Sequence, residues 1–225
     1  MEHGTGPTIE EIALAVSDVE RAVAWHERAL GSTRDGDAST ALGDTTFRFA
    51  PGAGRAAQAN QVGAFHVCVA VPDVAAAYAR LRELGVSPST EPVEVLPGLW
   101  TVYFTDPDGI RYQFLQHPGA SRVHHFAYSV SNLDGALEWY ARTFGVEAGY
   151  RGEAAGERVS STLEVEPGAA YRVALVPLGE GHLELMEWAG GGEPAPGGWE
   201  LVLRGAGLGP VELRDPDGMR LLVRD

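Results

Sequence analysis

The side chains that could do chemistry in this chain are few and sit in apolar surroundings. His66 and Cys68 alternate with valines in FHVCVAV, His124 and His125 open HHFAYSV, and His182 and Glu184 alternate in HLELM. In a strand, alternate residues share a face, so His66, Cys68 and Ala70 point one way while Val67, Val69 and Val71 point the other. By the same alternation His182 shares a face with Glu184 and Met186, whereas His124 should point away from His125. Imidazoles and a carboxylate on one apolar surface are donors for a divalent cation. A single histidine on a strand, however, is more often packing than a ligand. No glycine-rich phosphate loop follows a strand, and no serine or cysteine carries the surroundings of an activated nucleophile. His3 and His117 fall in predicted loops, and Cys68 reads as a small buried hydrophobe.

These residues are positioned by a repeat. IALAVSDVERAVAWHERALG (Ile12 to Gly31) aligns without a gap to FAYSVSNLDGALEWYARTFG (Phe126 to Gly145) at an offset of 114 residues. VCVAVPDVAAAYARLRELG (Val67 to Gly85) is a third copy, one residue shorter. Each opens as a strand of alternating apolar residues and continues as a helix. Asp18, Asp73 and the Ser131-Asn132 pair supply helix-start oxygens, and Gly31, Gly85 and Gly145 supply the left-handed stop. His26 and Tyr140 occupy equivalent helix positions and read as structural. Trp25, Trp139 and Phe144 read as core.

Turn-rich segments with short apolar runs follow each helix. In LWTVYFTDPDGIRYQFLQ (Leu99 to Gln116) an Asp-Pro-Asp-Gly turn joins two strand-like runs, and VELRDPDGMRLLV (Val211 to Val223) repeats it. The second hairpin marks a fourth copy. Too few residues separate it from Trp188 for a helix, although Trp199 to Arg204 suits one strand. The expected fold is α+β: tandem βαβββ modules, three full and a truncated fourth, pairing into cupped mixed sheets with helices outside. The expected division is residues 1–118, an N-terminal pair of modules, and residues 119–225, a C-terminal module plus the truncated one.

These motifs resemble the vicinal oxygen chelate superfamily of glyoxalases, bleomycin-resistance proteins and extradiol dioxygenases. That resemblance implies metal ligands on the first and last strands of paired modules. Its first-strand positions fall on Glu11, His66 and His125, and its last-strand positions on Arg48, Gln113, Glu184 and Leu222. Arg48 and Leu222 cannot ligate a cation, and the fourth copy shows no first-strand ligand. Modules one and four are therefore expected to be metal-free, with Glu11 and Arg48 as an ion pair. His66, Gln113, His125 and Glu184 form a full set between modules two and three, similar to the methylmalonyl-CoA epimerase branch.

The implied cofactor is a divalent metal, Zn, Mn, Co, Ni or Fe(II), and the implied activity is isomerase or lyase chemistry on a small oxygenated metabolite, with Glu184 as ligand and base. Two alternatives stand beside it. One is Fe(II) extradiol ring cleavage using His66, His125 and Glu184; the other is a non-catalytic small-molecule binding protein of the bleomycin-resistance kind.

The chain has 225 residues, 44% hydrophobic, a formal charge of -14 and one cysteine. That size permits a real core. The acidic balance argues against nucleic acid and anionic membrane partners, and no segment approaches a membrane-spanning apolar run. Without a possible intramolecular disulfide or a leader-like start, a cytoplasmic location is expected. A monomer or a homodimer would fit.

Overall fold

The computed structural model describes residues 6–53, 56–58, 61–156, 163, 166–195 and 199–225. His3 lies outside them. The first module contains β1 (Thr8–Val16), α1 (Val19–Ala29), β2 (Thr33–Arg34), β3 (Ser39–Leu42) and β4 (Thr45–Pro51). The second contains β5 (Gly63–Val71), α2 (Val74–Glu83), β6 (Val93–Leu96), β7 (Leu99–Thr105) and β8 (Arg111–Gln116). The third contains β9 (Arg122–Ser129), α3 (Leu133–Phe144), β10 (Tyr150–Ala155), β11 (Ala170–Leu178) and β12 (Gly181–Trp188). The fourth has β13 (Trp199–Arg204), β14 (Val211–Arg214) and β15 (Arg220–Arg224), with no helix among its described residues.

The helices begin and end where their side chains dictate. Asp18, Asp73 and Asn132 each accept a hydrogen bond from the amide three residues on, at 2.9–3.0 Å. This satisfies one of the donors that a first helical turn leaves unpaired. Gly31, Gly85 and Gly145 follow the helices with φ of 73°, 76° and 68°, a backbone region that disfavours a β-carbon.

Two mixed sheets result, in the orders β14-β15-β13-β1-β4-β3-β2 and β10-β11-β12-β9-β5-β8-β7-β6. The first strands of modules two and three, β5 and β9, pair antiparallel at the centre of the eight-stranded sheet. Those of modules one and four, β1 and β13, pair antiparallel within the seven-stranded sheet. The ends of the chain thus build one sheet and its middle builds the other. On β5, Val67, Val69 and Val71 join the main core with Ala77 and Leu81 of α2. The opposite face carries the polar groups.

The central pairings are irregular in a regular way. Register shifts leave Glu10 of β1, Phe65 of β5 and His124 of β9 as extra residues, each immediately before Glu11, His66 and His125. A bulge of this kind places two consecutive side chains on one face. The expectation that His124 points away from His125 is therefore overturned: their Nδ1 atoms lie 2.9 Å apart.

Candidate metal centre

His66, Gln113, His125 and Glu184 come from four adjacent strands of the eight-stranded sheet, and register explains their convergence. Cys68 pairs with Gln113 on β8 and with His125 on β9, while Ala127 pairs with both His66 and Glu184. Partners in a ladder share a face, so all four side chains enter the same cup. His66 Nε2 lies 3.1 Å from Gln113 Oε1 and 3.0 Å from His125 Nε2. Glu184 Oε2 lies 3.7 Å from His66 Nε2 and 3.4 Å from His125 Nε2.

These atoms fit a small cation. The point equidistant from the two imidazole nitrogens and the carboxylate oxygen, taken from their separations of 3.0, 3.4 and 3.7 Å, lies about 2.0 Å from each, the length of Zn–N and Zn–O bonds. The amide is also aimed. Gln113 Nε2 donates to Thr101 Oγ1 at 2.8 Å, and Thr101 donates to the Phe114 carbonyl at 2.8 Å, which leaves Oε1 facing the cup. His66 Nδ1 is buried without a hydrogen-bond partner among the described residues.

Burial sets the charge state of the donors. Burial, reinforced by the positive charge of Arg111, lowers His66 to about 3. Burial and the neighbouring His66, His124 and His182 hold His125 well below the ordinary histidine value. Both imidazoles are therefore neutral. Burial raises Glu184 to about 7, although its side chain keeps 18% of its exposure. On one side the cup is closed by Phe65, Tyr103, Leu163, Met186 and Trp188, a buried apolar cluster. Behind His125 lie His124, whose ring stacks on His182 at 5.4 Å, and His117 at 5.9 Å from His124. Cys68 is buried and its thiol is pushed well above its usual range by burial, with the charge of Glu184 adding to this.

The corresponding cup of modules one and four has a different filling. Arg48 lies 2.6 Å from Glu11 Oε1 and 3.6 Å from Glu200 Oε1, and Glu200 also pairs with Arg220. Glu200 was missed in the sequence. It faces Ala13 across β1 and β13 just as His125 faces Cys68 across β5 and β9, which makes it the first-strand position of the fourth module. Without a helix behind β13, the strand-then-helix pattern that locates the other three positions is missing; only the pairing reveals this one. Leu222, opposite Val202, is the last-strand position. Where the first cup gathers two neutral imidazoles, an amide and one carboxyl group, the second gathers two carboxylates around a guanidinium.

Paired βαβββ modules with a cup of histidine, amide and carboxylate donors define the class. The chain belongs to the Glyoxalase/Bleomycin resistance protein/Dioxygenase superfamily, whose model matches residues 8–114 and 122–209. A 2-epi-5-epi-valiolone epimerase from Actinomyces sp is 41% identical over 75 residues, 32% of this chain. The match spans 41% of that relative, well under half its length. Glyoxalase I from Zea mays superposes with a TM-score of 0.72 at 17% identity, covering 97% of this chain and 92% of that one. A putative dioxygenase from Bacillus subtilis gives 0.59 at 14% identity, covering 96% and 84%. These two structures share the fold. No helix among the described residues is long and apolar enough to cross a membrane.

Proposed function

We propose that this chain is a metal-dependent vicinal oxygen chelate enzyme of the isomerase or lyase kind, acting on a small metabolite with two neighbouring oxygens. His66, Gln113, His125 and Glu184 are its metal ligands. The observation that carries this reading is the convergence of His66, His125 and Glu184 from three strands around one point, with Gln113 Oε1 from a fourth strand 3.1 Å from His66 Nε2. A divalent cation held there, Zn, Mn, Co, Ni or Fe(II), supplies Lewis acidity to the substrate's oxygens.

The protein's own groups account for the rest. His66 and His125 are neutral and so carry no charge to repel a cation, and Thr101 holds the Gln113 amide in its ligating orientation. Glu184 Oε2, within 3.7 Å of both imidazole nitrogens, is the carboxyl oxygen of the cup placed to take or return a proton as a general base. Phe65, Tyr103, Met186 and Trp188 exclude water from one wall of the cup. The partial identity to an epimerase supports proton transfer at a single carbon as the reaction class.

Fe(II)-dependent ring cleavage is a second reading, favoured by the grouping of His66, His125 and Glu184 as a two-histidine, one-carboxylate set. Elemental analysis of untagged protein, with reloading of the wild type, His125→Ala and Glu184→Ala, tests both. Near-stoichiometric metal lost in each variant is expected. Oxygen uptake by the iron-loaded protein with catechols would move the assignment to the second reading. A folded wild type that takes up no divalent cation would overturn both and leave a small-molecule binding protein.

A further inference from the structure

The hydrogen bonds around the cup give its two ligand histidines different surroundings. Thr101 donates to the Phe114 carbonyl, so its oxygen accepts from Gln113 Nε2. The other end of that amide, Oε1, can only accept, so the proton in its 3.1 Å contact with His66 belongs to His66 Nε2. His125 Nε2 lies 3.0 Å from that nitrogen and 3.4 Å from Glu184 Oε2, and on the metal-site reading it presents a bare lone pair to the cup. A neutral His125 whose Nε2 is bare carries its hydrogen on Nδ1. At 2.9 Å from Nδ1 stands Nδ1 of His124.

We infer that His124 is the positioning residue of the centre: its Nδ1 accepts the Nδ1 hydrogen of His125 and so fixes the tautomer that aims the His125 Nε2 lone pair into the cup. The inference rests on the metal-site reading for its purpose. Its geometry stands independently.

The β-bulge makes the contact possible. In a regular strand His124 would be on the other face; as the extra residue of β9 it lies beside His125. Its ring is held by stacking on His182, whose Nδ1 also reaches the His124 carbonyl at 3.4 Å. At the equivalent bulge of β5 stands Phe65, which cannot accept a hydrogen bond, and His66 Nδ1 has no partner among the described residues. The two histidines therefore differ. His125 is set for ligation in advance, whereas His66 must move its hydrogen from Nε2 to Nδ1 before Nε2 can ligate. Partners that orient a ligating histidine typically account for about 10–100-fold in metal affinity.

The experiment uses the full chain. Long-range ¹H–¹⁵N correlation spectra of the metal-free protein report which nitrogen of His125 is protonated, and chelator competition gives the affinities for Zn²⁺ and Mn²⁺. Wild type is expected to show His125 protonated on Nδ1. His124→Ala should mix the tautomers and weaken Zn²⁺ by about 10–100-fold, while His124→Asn, whose side-chain oxygen can accept the same hydrogen, should recover most of the loss. His182→Ala, which removes the stacking partner and keeps the acceptor, should leave the tautomer unchanged.

A wild-type His125 protonated on Nε2 would overturn the inference, as would a His124→Ala protein with unaltered tautomer and affinity. If His124→Ala fails to fold, the wild-type and His124→Asn spectra still decide. A wild type that shows the Nδ1 tautomer but binds neither cation would defeat the proposed function and leave the role of His124 in setting the tautomer standing.

Discussion

Asp108 accepts hydrogen bonds from both the amide and the hydroxyl of Ser17, 91 residues earlier, at 2.8 and 2.5 Å. Asp217 repeats the contact on the amide of Ser131 at 3.1 Å. These are the second aspartates of the two Asp-Pro-Asp-Gly turns, and each reaches the loop before a helix of the preceding module. The turns are thus clasps between modules as well as hairpin connections. Asp106 and Asp215, the first aspartates, close the turns on themselves by accepting two backbone amides each.

Removing a clasp should loosen the joint. Burial of Asp108 opposes its charge, but Ser17 and Arg21 outweigh it and hold the carboxyl below its usual range. Asp108→Ala is expected to lower stability in urea by about 1.5–3 kcal/mol, the usual range for hydrogen bonds to a charged group. Asp217→Ala should cost less, because among the described residues it has no cationic partner equivalent to Arg21. Equal midpoints for Asp108→Ala and wild type would show that the clasp contributes nothing.

Arg48 should matter to folding and not to metal. Arg48→Met leaves the carboxylates of Glu11 and Glu200 facing each other without their shared cation. A loss of about 1–2 kcal/mol is expected, less than for a fully buried pair because the arginine side chain is 44% exposed and partly screened by water. Adding Glu11→Gln should recover part of it. Metal stoichiometry, measured on the same preparations, should remain that of wild type; a changed value would place a cation in the second cup.

His26 gives the fold an acid-sensitive point. It is fully buried, 2.8 Å from the Tyr112 hydroxyl, and burial lowers it to about 3 from an ordinary 6.5. The unfolded chain takes up this proton more readily. The stability it supports is therefore complete above pH 6.5 and is lost as pH falls from 6.5 towards 3, at up to about 1.4 kcal/mol per pH unit. Asp106 and Asp215 act in the opposite sense. Burial raises them to about 7 and about 6, so the stability from their protonated forms is lost as pH rises through that window. Comparing His26→Gln with wild type across acid pH isolates the histidine. The variant should show the flatter profile, and parallel profiles would remove His26 from the account.

The repeat made most of this architecture legible. Strand alternation, aspartate or asparagine caps and closing glycines located α1, α2 and α3 and their preceding strands, because each signal is local to a few residues. His66, Gln113, His125 and Glu184 could be named because the superfamily resemblance implies ligand positions on the first and last strands of each module, and the structure brings them together. Two features were beyond that reasoning. The face of His124 depends on a bulge set by pairing between β5 and β9, which alternation along one strand does not contain. Glu200 depends on the pairing of β13 with β1, distant in sequence and unmarked by a helix. Both are facts about partners rather than about segments.

The nested order of the sheets sets a sequence of events during synthesis. Every strand of the eight-stranded sheet has been made once Trp188 leaves the ribosome, while β1, made before all of them, still lacks β13 on one side. The first of these strands therefore finds its last neighbour among the final three, and until then keeps an open edge of the kind that invites pairing with other chains. The half that carries His66, Gln113, His125 and Glu184 can mature on its own schedule; the other half is the one exposed to delay.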